Sequence, residues 1–310
     1  MVGKTKKEKR KILVTGSNGM LGVDLCEELS SEYDVIRLDI QGPQQARGPA
    51  AYISCDITER DKTIRAIVGA KPELVIHAAA WTDVDGCEEE PKKAERINVK
   101  GSENVVASAS ELKVPLVYLS TDFIFDGKKK ALYTVGDVPN PISVYGSTKL
   151  LGEKKTIELN QYAIVRASWL FGANGKNFVD TIVKKAKENK TLKVVDDQVG
   201  NPTYTKDLSQ ALKKLIDFFF SGSRETGEDF KEIFHVSNRE TVSWFDYAKE
   251  ILNITKINSV TLIPIKSDKL NRPAKRPAFS GLDTTYFEGI VGYKLRTWLE
   301  ALKEYIDETK

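Results

Sequence analysis

A tyrosine and a lysine four residues apart, Tyr145 and Lys149, are the pair in this sequence best suited to acid–base chemistry. At the start of a predicted helix, this spacing places the phenol and the ammonium on one face, one turn apart. A free phenol, with a pKa of about 10, is a poor acid–base group at neutral pH. Because a neighbouring cation favours the phenolate, we expect Lys149 to lower the pKa of Tyr145 and to make it catalytic.

Thr121 is the third candidate for catalysis, because it follows a predicted strand within the run Ser120-Thr121-Asp122. There its hydroxyl could hydrogen-bond the oxygen on which Tyr145 acts, although a structural threonine at a strand end is the alternative. Asn98 could support a water relay to Lys149 or simply bond a backbone carbonyl, and the sequence does not choose between these roles.

A glycine-rich turn, Thr15-Gly16-Ser17-Asn18-Gly19-Met20-Leu21-Gly22, follows a predicted strand and opens a predicted helix. Glycines permit the tight turn and a close approach of the backbone to a pyrophosphate, and the helix N-terminus offers free N–H groups to it. The spacing of the glycines is Gly-x-x-Gly-x-x-Gly rather than the usual Gly-x-Gly-x-x-Gly. The strand–turn–helix context nevertheless predicts a dinucleotide site that includes Gly16, Asn18, Gly19, Met20, Leu21 and Gly22.

Three further groups are predicted to contact the dinucleotide. Asp39 ends the second strand, where a carboxylate can accept hydrogen bonds from the adenosine ribose. That charge disfavours a 2′-phosphate and indicates NADH, whereas Arg37 and Arg47 nearby keep NADPH open. The second group is Asp56 and Ile57, which could lie beside the adenine, although Asp56 could instead only form an Asx turn. The third group is the small residues Ala78, Ala79 and Ala80.

The elements that must position these residues follow an alternating pattern. Apolar runs predict strands at 11–15, 34–39, 73–77, 115–120 and 162–167. Amphipathic patterns predict helices around 20–30, 59–69, 91–112 and 146–159, and later around 177–189, 205–219, 243–252 and 296–308. Continuous apolar strands separated by helices are typical of a parallel sheet covered on both faces. We therefore predict an α/β fold with a doubly wound parallel (Rossmann-type) sheet and a smaller C-terminal substrate-binding lobe.

The change of pattern near residue 170 divides the chain. We predict a disordered basic leader at 1–10 and a dinucleotide-binding domain at 11–170. Residues 171–310 are predicted to form mainly a substrate-binding lobe that is partly interleaved with the sheet.

Composition excludes several classes of protein. The 310 residues carry a net charge of only +3, which indicates no nucleic-acid partner. No apolar run reaches the roughly 18 residues of a membrane span, and the basic leader lacks the apolar core of a signal peptide. Three cysteines without metal-ligand spacing and two histidines argue against a disulfide framework and a zinc site. We expect a cytoplasmic enzyme that acts as a monomer or a homodimer.

Five longer runs resemble the extended short-chain dehydrogenase/reductase family, and the resemblance extends from about residue 11 to residue 305. They are STDFIFDG (120–127), PNPISVYG (139–146), RASWLFG (166–172), DQVGNPT (197–203) and RPAFSGLD (276–283). Within that family the chain is most similar to the dTDP-4-dehydrorhamnose reductases, because the fourth and fifth runs distinguish these from most sugar epimerases.

The resemblance implies an NADPH- or NADH-dependent reduction of the C4 keto group of a nucleotide-linked 6-deoxy sugar. Tyr145 would protonate the new alkoxide, Lys149 would hold the nicotinamide ribose, and Thr121 would orient the carbonyl. Asp122 and Trp169 would contact the sugar. Asn177, Gln198 and Arg276 would help to place the substrate. The alternative for each is a purely structural role, as a helix cap, a loop contact and a surface arginine respectively. Some relatives use magnesium at an acidic dimer interface, but its residues cannot be located in this sequence.

Two alternatives stay open. One is a different enzyme on the same scaffold, either an epimerase or a reductase of another nucleotide sugar. The other is a non-catalytic regulatory subunit like the β subunit of methionine adenosyltransferase, which resembles the same family and keeps a Tyr-x-x-x-Lys pair.

Overall fold

A seven-stranded sheet forms the centre of the protein in a computed structural model that describes residues 9–42, 51–221 and 229–309. The strands, in chain order, are β1 Lys11–Thr15, β2 Asp34–Asp39, β3 Tyr52–Ser54, β4 Leu74–His77, β5 Leu116–Thr121, β6 Tyr162–Ala167, β7 Leu170–Phe171, β8 Thr191–Val195, β9 Val199–Gly200, β10 Thr203–Tyr204, β11 Lys231–His235, β12 Val242–Ser243 and β13 Thr261–Ile265.

The helices, in chain order, are α1 Met20–Ser30, α2 Arg60–Ala70, α3 Val84–Glu89, α4 Pro91–Ala94, α5 Gly101–Leu112, α6 Val144–Thr156, α7 Phe178–Glu188, α8 Thr205–Phe220, α9 Trp244–Thr255, α10 Thr285–Val291 and α11 Trp298–Thr309. A π-helical segment, Glu95–Lys100, joins α4 to α5, and short 3₁₀ turns lie at Asp122–Ile124 and Ser267–Lys269.

The central sheet is parallel throughout, with the strand order β11-β6-β5-β4-β1-β2-β3. Strands β4, β5 and β6 are buried along their whole length, as expected for a sheet covered on both faces. From β1 the chain first adds β2 and β3 on one side of the sheet and then adds β4, β5 and β6 on the other side. In such folds the switch point between β1 and β4 opens a crevice at the carboxyl ends of the strands. The predicted doubly wound α/β fold is confirmed.

Two apolar layers enclose the sheet. On one face α2 and α5 pack over β2, β4 and β5, and on the other α1 and α8 pack over β1. Both α8 and the edge strand β11 come from beyond residue 170. The later part of the chain therefore supplies the edge strand and at least helices α8 and α10 to the layers of the sheet.

A second core lies among α7, α9 and α11. Three two-stranded sheets accompany it, pairing β7 with β10, β9 with β12, and β8 with β13. Strands β3 and β7 to β13 and helices α3 and α10 do not appear among the elements predicted above.

The predicted leader 1–10 lies outside the described residues except for Lys9 and Arg10, and so does Arg47. Lys9 donates hydrogen bonds to the carbonyls of Ser30 and Ser31, which follow α1. None of the helices in the described ranges is long and apolar enough to cross a bilayer.

Candidate active site

A cavity of about 900 Å³ opens at the switch point between β1 and β4. Its wall contains all the residues that the sequence predicted for the dinucleotide and for catalysis, together with Asp122 and Trp169. Because the strands are parallel, their carboxyl ends meet at one edge, which explains why residues far apart in the chain share this wall.

The glycine turn is held close to the end of β4. Gly16 has a φ of +70°, and a Cβ atom there would lie 2.6 Å from the backbone nitrogen of Ala79. A Cβ atom on Gly22 would collide with the carbonyl oxygen of Gly16. Helix α1 then begins at Met20 without a side-chain cap and without an acidic residue in its first turn. Free N–H groups therefore face the cavity, an arrangement that suits the pyrophosphate of a dinucleotide.

Asp39 joins the glycine turn to β2. Its carboxylate accepts hydrogen bonds from the backbone N–H of Asn18 at 2.9 Å and of Ile40 at 2.8 Å. It still lines the cavity, where an ionised carboxylate can accept further hydrogen bonds. Arg37 does not line the cavity; it is buried on β2, and its Nε atom has no hydrogen-bond partner among the described residues.

Asp56 both lines the cavity and forms the Asx turn that the sequence left as an alternative, because its Oδ1 atom accepts a hydrogen bond from the N–H of Thr58 at 2.9 Å. Both roles are therefore compatible with its position.

Tyr145 lies in the first turn of α6, which Ser143 caps by accepting a hydrogen bond from the N–H of Gly146. The tyrosine ring is buried and packs edge-on against Phe123, with ring centroids 5.6 Å apart. Burial raises the pKa of Tyr145 above its ordinary value, and the charge of Asp122 adds to that rise, while a hydrogen bond with Thr121 opposes it. The prediction that Lys149 lowers this pKa is wrong for the protein by itself.

Lys149 points toward β5. Its ammonium donates a hydrogen bond to the carbonyl of Leu119 at 2.6 Å and lies 4.2 Å from the centre of the Tyr118 ring. Burial lowers the pKa of Lys149 to about 7, and the carboxylate of Glu153, one turn further along α6, opposes that fall. A cation held in this way does not offset the burial of Tyr145.

Thr121 and Asp122 continue from β5 into the cavity. The Thr121 hydroxyl donates to Asp122 Oδ1 at 3.1 Å and accepts from the N–H of Phe123 at 3.2 Å. Asp122 is only 1% exposed, and its Oδ2 atom has no hydrogen-bond partner within the described ranges. Burial raises the pKa of Asp122 to about 6, and interactions with Ser280 and Thr121 limit the rise.

Trp169 forms an aromatic wall with Trp244. Their rings are parallel within 5° and 3.5 Å apart, and both residues line the cavity. Trp169 has a φ of +47°, and Gly200 leaves room for its indole, because a Cβ atom at 200 would lie 2.7 Å from that ring. Such a flat apolar wall suits the face of a sugar ring.

Several lining residues were not predicted from the sequence: Trp81, Lys93, Arg96, Ser120, Phe123, Lys176 and Trp244. Trp81, Ser120 and Phe123 flank predicted site residues, so their places after β4 and around the end of β5 were the available indication. Trp244 is far in sequence from the other site residues, and no sequence motif around it predicts a place in the site.

Four other candidates lie outside the cavity wall. Asn177 caps α7, accepting from the N–H of Asp180 at 3.0 Å, and Gln198 donates to Ser267 at 2.7 Å. Arg276 holds both carboxylate oxygens of Asp85 at 3.0 and 2.7 Å. Asn98 bonds the backbone of Trp81 and the hydroxyl of Thr148. The structure does not bring these side chains to the predicted substrate site or to a relay with Lys149.

No cluster of three or more His, Cys, Asp or Glu side chains that could hold a metal ion occurs in the described part of the chain.

Comparison with known proteins identifies relatives in the family that the sequence resembles. The chain is 34% identical to the spore coat polysaccharide biosynthesis protein SpsK of Bacillus subtilis, over 96% of this chain and 97% of that protein. The crystal structure of a dTDP-4-dehydrorhamnose reductase from Clostridium acetobutylicum superposes with a TM-score of 0.85 at 38% identity, over 96% of this chain and 99% of that one.

A second reductase of that name, from Bacillus anthracis in complex with NADP, has a TM-score of 0.85 at 34% identity and covers 97% of this chain and 99% of its own. The family model described as the RmlD substrate binding domain matches residues 10–310. The predicted resemblance is thereby confirmed, and the chain belongs to the RmlD substrate-binding-domain family.

Proposed function

We propose that this chain reduces the C4 keto group of a dTDP-linked 4-keto-6-deoxy sugar with NADPH or NADH, and that its substrate is dTDP-4-dehydro-L-rhamnose, giving dTDP-L-rhamnose. The observation that carries the proposal is that one cavity is lined both by the glycine turn and by Thr121, Tyr145 and Lys149. A dinucleotide site and an acid–base site that share one cavity suit hydride transfer. The reductases at 34–38% identity support the choice of substrate.

The dinucleotide, when bound, supplies the hydride. Residues 16–22 would hold its pyrophosphate at the start of α1, and Asp39 would accept hydrogen bonds from its adenosine ribose. Asp56, Ile57 and Ala78–Ala80 complete this side of the cavity. The fit rests on the uncapped helix N-terminus and on the close packing of Gly16 against Ala79.

Tyr145 would give its phenol proton to the sugar oxygen as hydride reaches C4, because it is the acidic hydroxyl that lines the cavity beside Thr121. Lys149 would turn from the carbonyl of Leu119 toward the ribose, and its charge would then stabilise the phenolate. Thr121 would orient the keto oxygen, while Asp122 and the Trp169–Trp244 wall would hold the sugar ring.

The two parts of the chain would have different roles in this reaction. Residues 11–170 would supply the dinucleotide site and the catalytic residues, and residues 171–310 would mainly form the substrate lobe, with Trp169 at the boundary. Within this scheme the small-molecule partner is a nucleotide sugar, and the enzyme works in the cytoplasm as a monomer or a homodimer.

A coupled test separates this function from its alternatives. The purified protein is mixed with NADPH or NADH and a panel of 4-keto sugar nucleotides, and both absorbance at 340 nm and the sugar product are followed. We expect one dinucleotide to be oxidised for each dTDP-L-rhamnose formed. An epimerase would change the sugar without net oxidation, and a regulatory subunit would bind the dinucleotide without turnover; either result would contradict the proposal.

A further inference from the structure

The Thr121 hydroxyl has three partners in the protein and only one proton to donate, so the donor and acceptor roles of these partners are coupled. The Phe123 N–H donates to its oxygen at 3.2 Å, Asp122 Oδ1 lies 3.1 Å away, and Tyr145 hydrogen-bonds the same side chain. A hydroxyl has one proton and two lone pairs. After Phe123 has taken one lone pair, one proton and one lone pair remain for Asp122 and Tyr145.

The charge of Asp122 decides how these two are shared. An ionised carboxylate can only accept, so Thr121 must donate to it, and the remaining lone pair then accepts from the Tyr145 phenol. In that arrangement the tyrosine proton is directed to Thr121. A neutral Asp122 can instead donate to Thr121, whose own proton is then free to turn toward Tyr145 and the keto oxygen beside it.

We propose that Asp122 is a proton-dependent positioning residue for Tyr145, acting through Thr121, and this inference rests on the proposed reductase function. With Asp122 neutral, the chain of hydrogen bonds runs from Asp122 to Thr121 to Tyr145, and the tyrosine proton is available to the sugar oxygen. With Asp122 ionised, the chain runs the other way and the tyrosine proton is held by Thr121.

Only the neutral form of Asp122 suits the chemical step. As hydride adds to C4, the sugar oxygen takes the Tyr145 proton and Tyr145 becomes a phenolate. A Thr121 hydroxyl that donates to this phenolate stabilises it, whereas one that donates to Asp122 cannot. The proton lost by Tyr145 returns from solvent after the product leaves, so Asp122 itself is not consumed.

Burial shifts Asp122 toward its neutral form. The carboxyl is 1% exposed, and Oδ2 lacks a hydrogen-bond partner among the described residues, which penalises a buried charge. Hydrogen bonds with Ser280, Thr121 and the backbone N–H groups of Asp122 and Phe123 oppose this shift. The titratable group facing Asp122 from α6 is Tyr145, and from α3 Cys87 faces that tyrosine. Cationic groups elsewhere on the cavity wall belong to Lys93, Arg96, Lys149 and Lys176.

The experiment compares the pH dependence of kcat, at saturating NADPH and sugar nucleotide, in the wild type and in Asp122→Asn. An asparagine amide is a permanent donor of nearly the same shape. We expect wild-type kcat to fall up to about tenfold for each pH unit above the ionisation of Asp122. The variant should lack this fall, and its KM for the sugar nucleotide should rise because Asp122 is also proposed to hold the sugar ring.

Three control variants distinguish a proton-dependent role of Asp122 from a purely structural contact. Asp126→Asn removes a carboxylate from the same segment but outside the cavity, and should keep the wild-type profile. Thr121→Ser preserves the relay and should also keep it, while Thr121→Val should lose both the pH dependence and much of kcat. If Asp122→Asn fails to fold, as judged by its melting curve, the two Thr121 variants decide the matter.

Two results would overturn the inference while leaving the reductase function intact. One is an Asp122→Asn enzyme with the wild-type pH dependence, and the other is a Thr121→Val enzyme that keeps this pH dependence. A wild-type protein that reduces none of the sugar nucleotides would instead refute the proposed function, and this inference with it.

Discussion

Replacing Lys149 by methionine removes a buried cation while keeping most of the length of the side chain. Burial lowers the pKa of this ammonium from 10.5 to about 7. At about 1.4 kcal/mol for each pKa unit, the folded protein disfavours the charged form by up to about 5 kcal/mol. The variant loses the hydrogen bond to Leu119 and the contact with the Tyr118 ring, together worth about 2 kcal/mol. We therefore expect Lys149→Met to raise the free energy of unfolding by about 3 kcal/mol at pH 7.

The sign and the pH range of this effect follow from linkage. Since the pKa is lower in the folded than in the unfolded chain, the unfolded chain binds the proton more tightly. The destabilisation by Lys149 is therefore fully present below pH 7 and disappears as the pH rises toward 10.5. The advantage of the methionine variant should shrink over the same range.

Urea unfolding of both proteins without dinucleotide at pH 6, 7, 8 and 9 measures this difference. Lys154→Met, on the exposed face of the same helix, is the matched control and should leave the free energy of unfolding nearly unchanged at every pH. A Lys149→Met protein that is less stable than the wild type at pH 7, or a gain that does not change with pH, would refute the reasoning. The same variant should bind the dinucleotide more weakly and have a higher pH optimum, as shown by calorimetric titration and the kcat–pH profile.

The other predictions concern catalysis, cofactor choice and packing. Tyr145→Phe should lower kcat by about 10²–10⁴ and leave the dinucleotide Kd unchanged, because only the proton donor is lost; a near-normal kcat would remove Tyr145 from the mechanism. Asp39→Asn should raise kcat/KM for NADPH relative to NADH, because it relieves like-charge repulsion of a 2′-phosphate; an unmoved ratio would reduce Asp39 to a strand-end residue. Gly152→Ala should lower the free energy of unfolding by about 1–3 kcal/mol, because its Cβ atom would collide with the Tyr118 hydroxyl. Gly69→Ala, with nothing within 4 Å, should raise it by up to about 1 kcal/mol, and equal melting temperatures for the two variants would contradict the packing argument.

Five of the central strands could be anticipated because their apolar runs are continuous and separated by helices. Strand β11 was missed, since Lys231-Glu232-Ile233-Phe234-His235 carries charges at its start and lies at the edge of the sheet. Helix α10 has only seven residues, too few for a clear amphipathic period.

The predicted dinucleotide and catalytic residues share one cavity because parallel strands bring their carboxyl ends together, and that follows from the fold alone. What spacing could not show is where a long side chain points. Lys149 reaches the carbonyl of Leu119, so burial rather than charge controls the pKa of Tyr145. The position of Trp244 beside Trp169 likewise depends on tertiary packing that no local pattern reveals.

The packing of α8 on α1 has a consequence for how the protein is made. Leu21 and Leu25 of α1 belong to the same buried cluster as Leu208 and Leu212 of α8. The first six strands leave the ribosome before α8 does, so this apolar face of the nascent chain stays uncovered in the meantime. Proteins of this size are prone to aggregate through such surfaces during synthesis. We expect ribosome-bound chains that end before α8 to recruit chaperones, and chains that extend beyond β11 to release them.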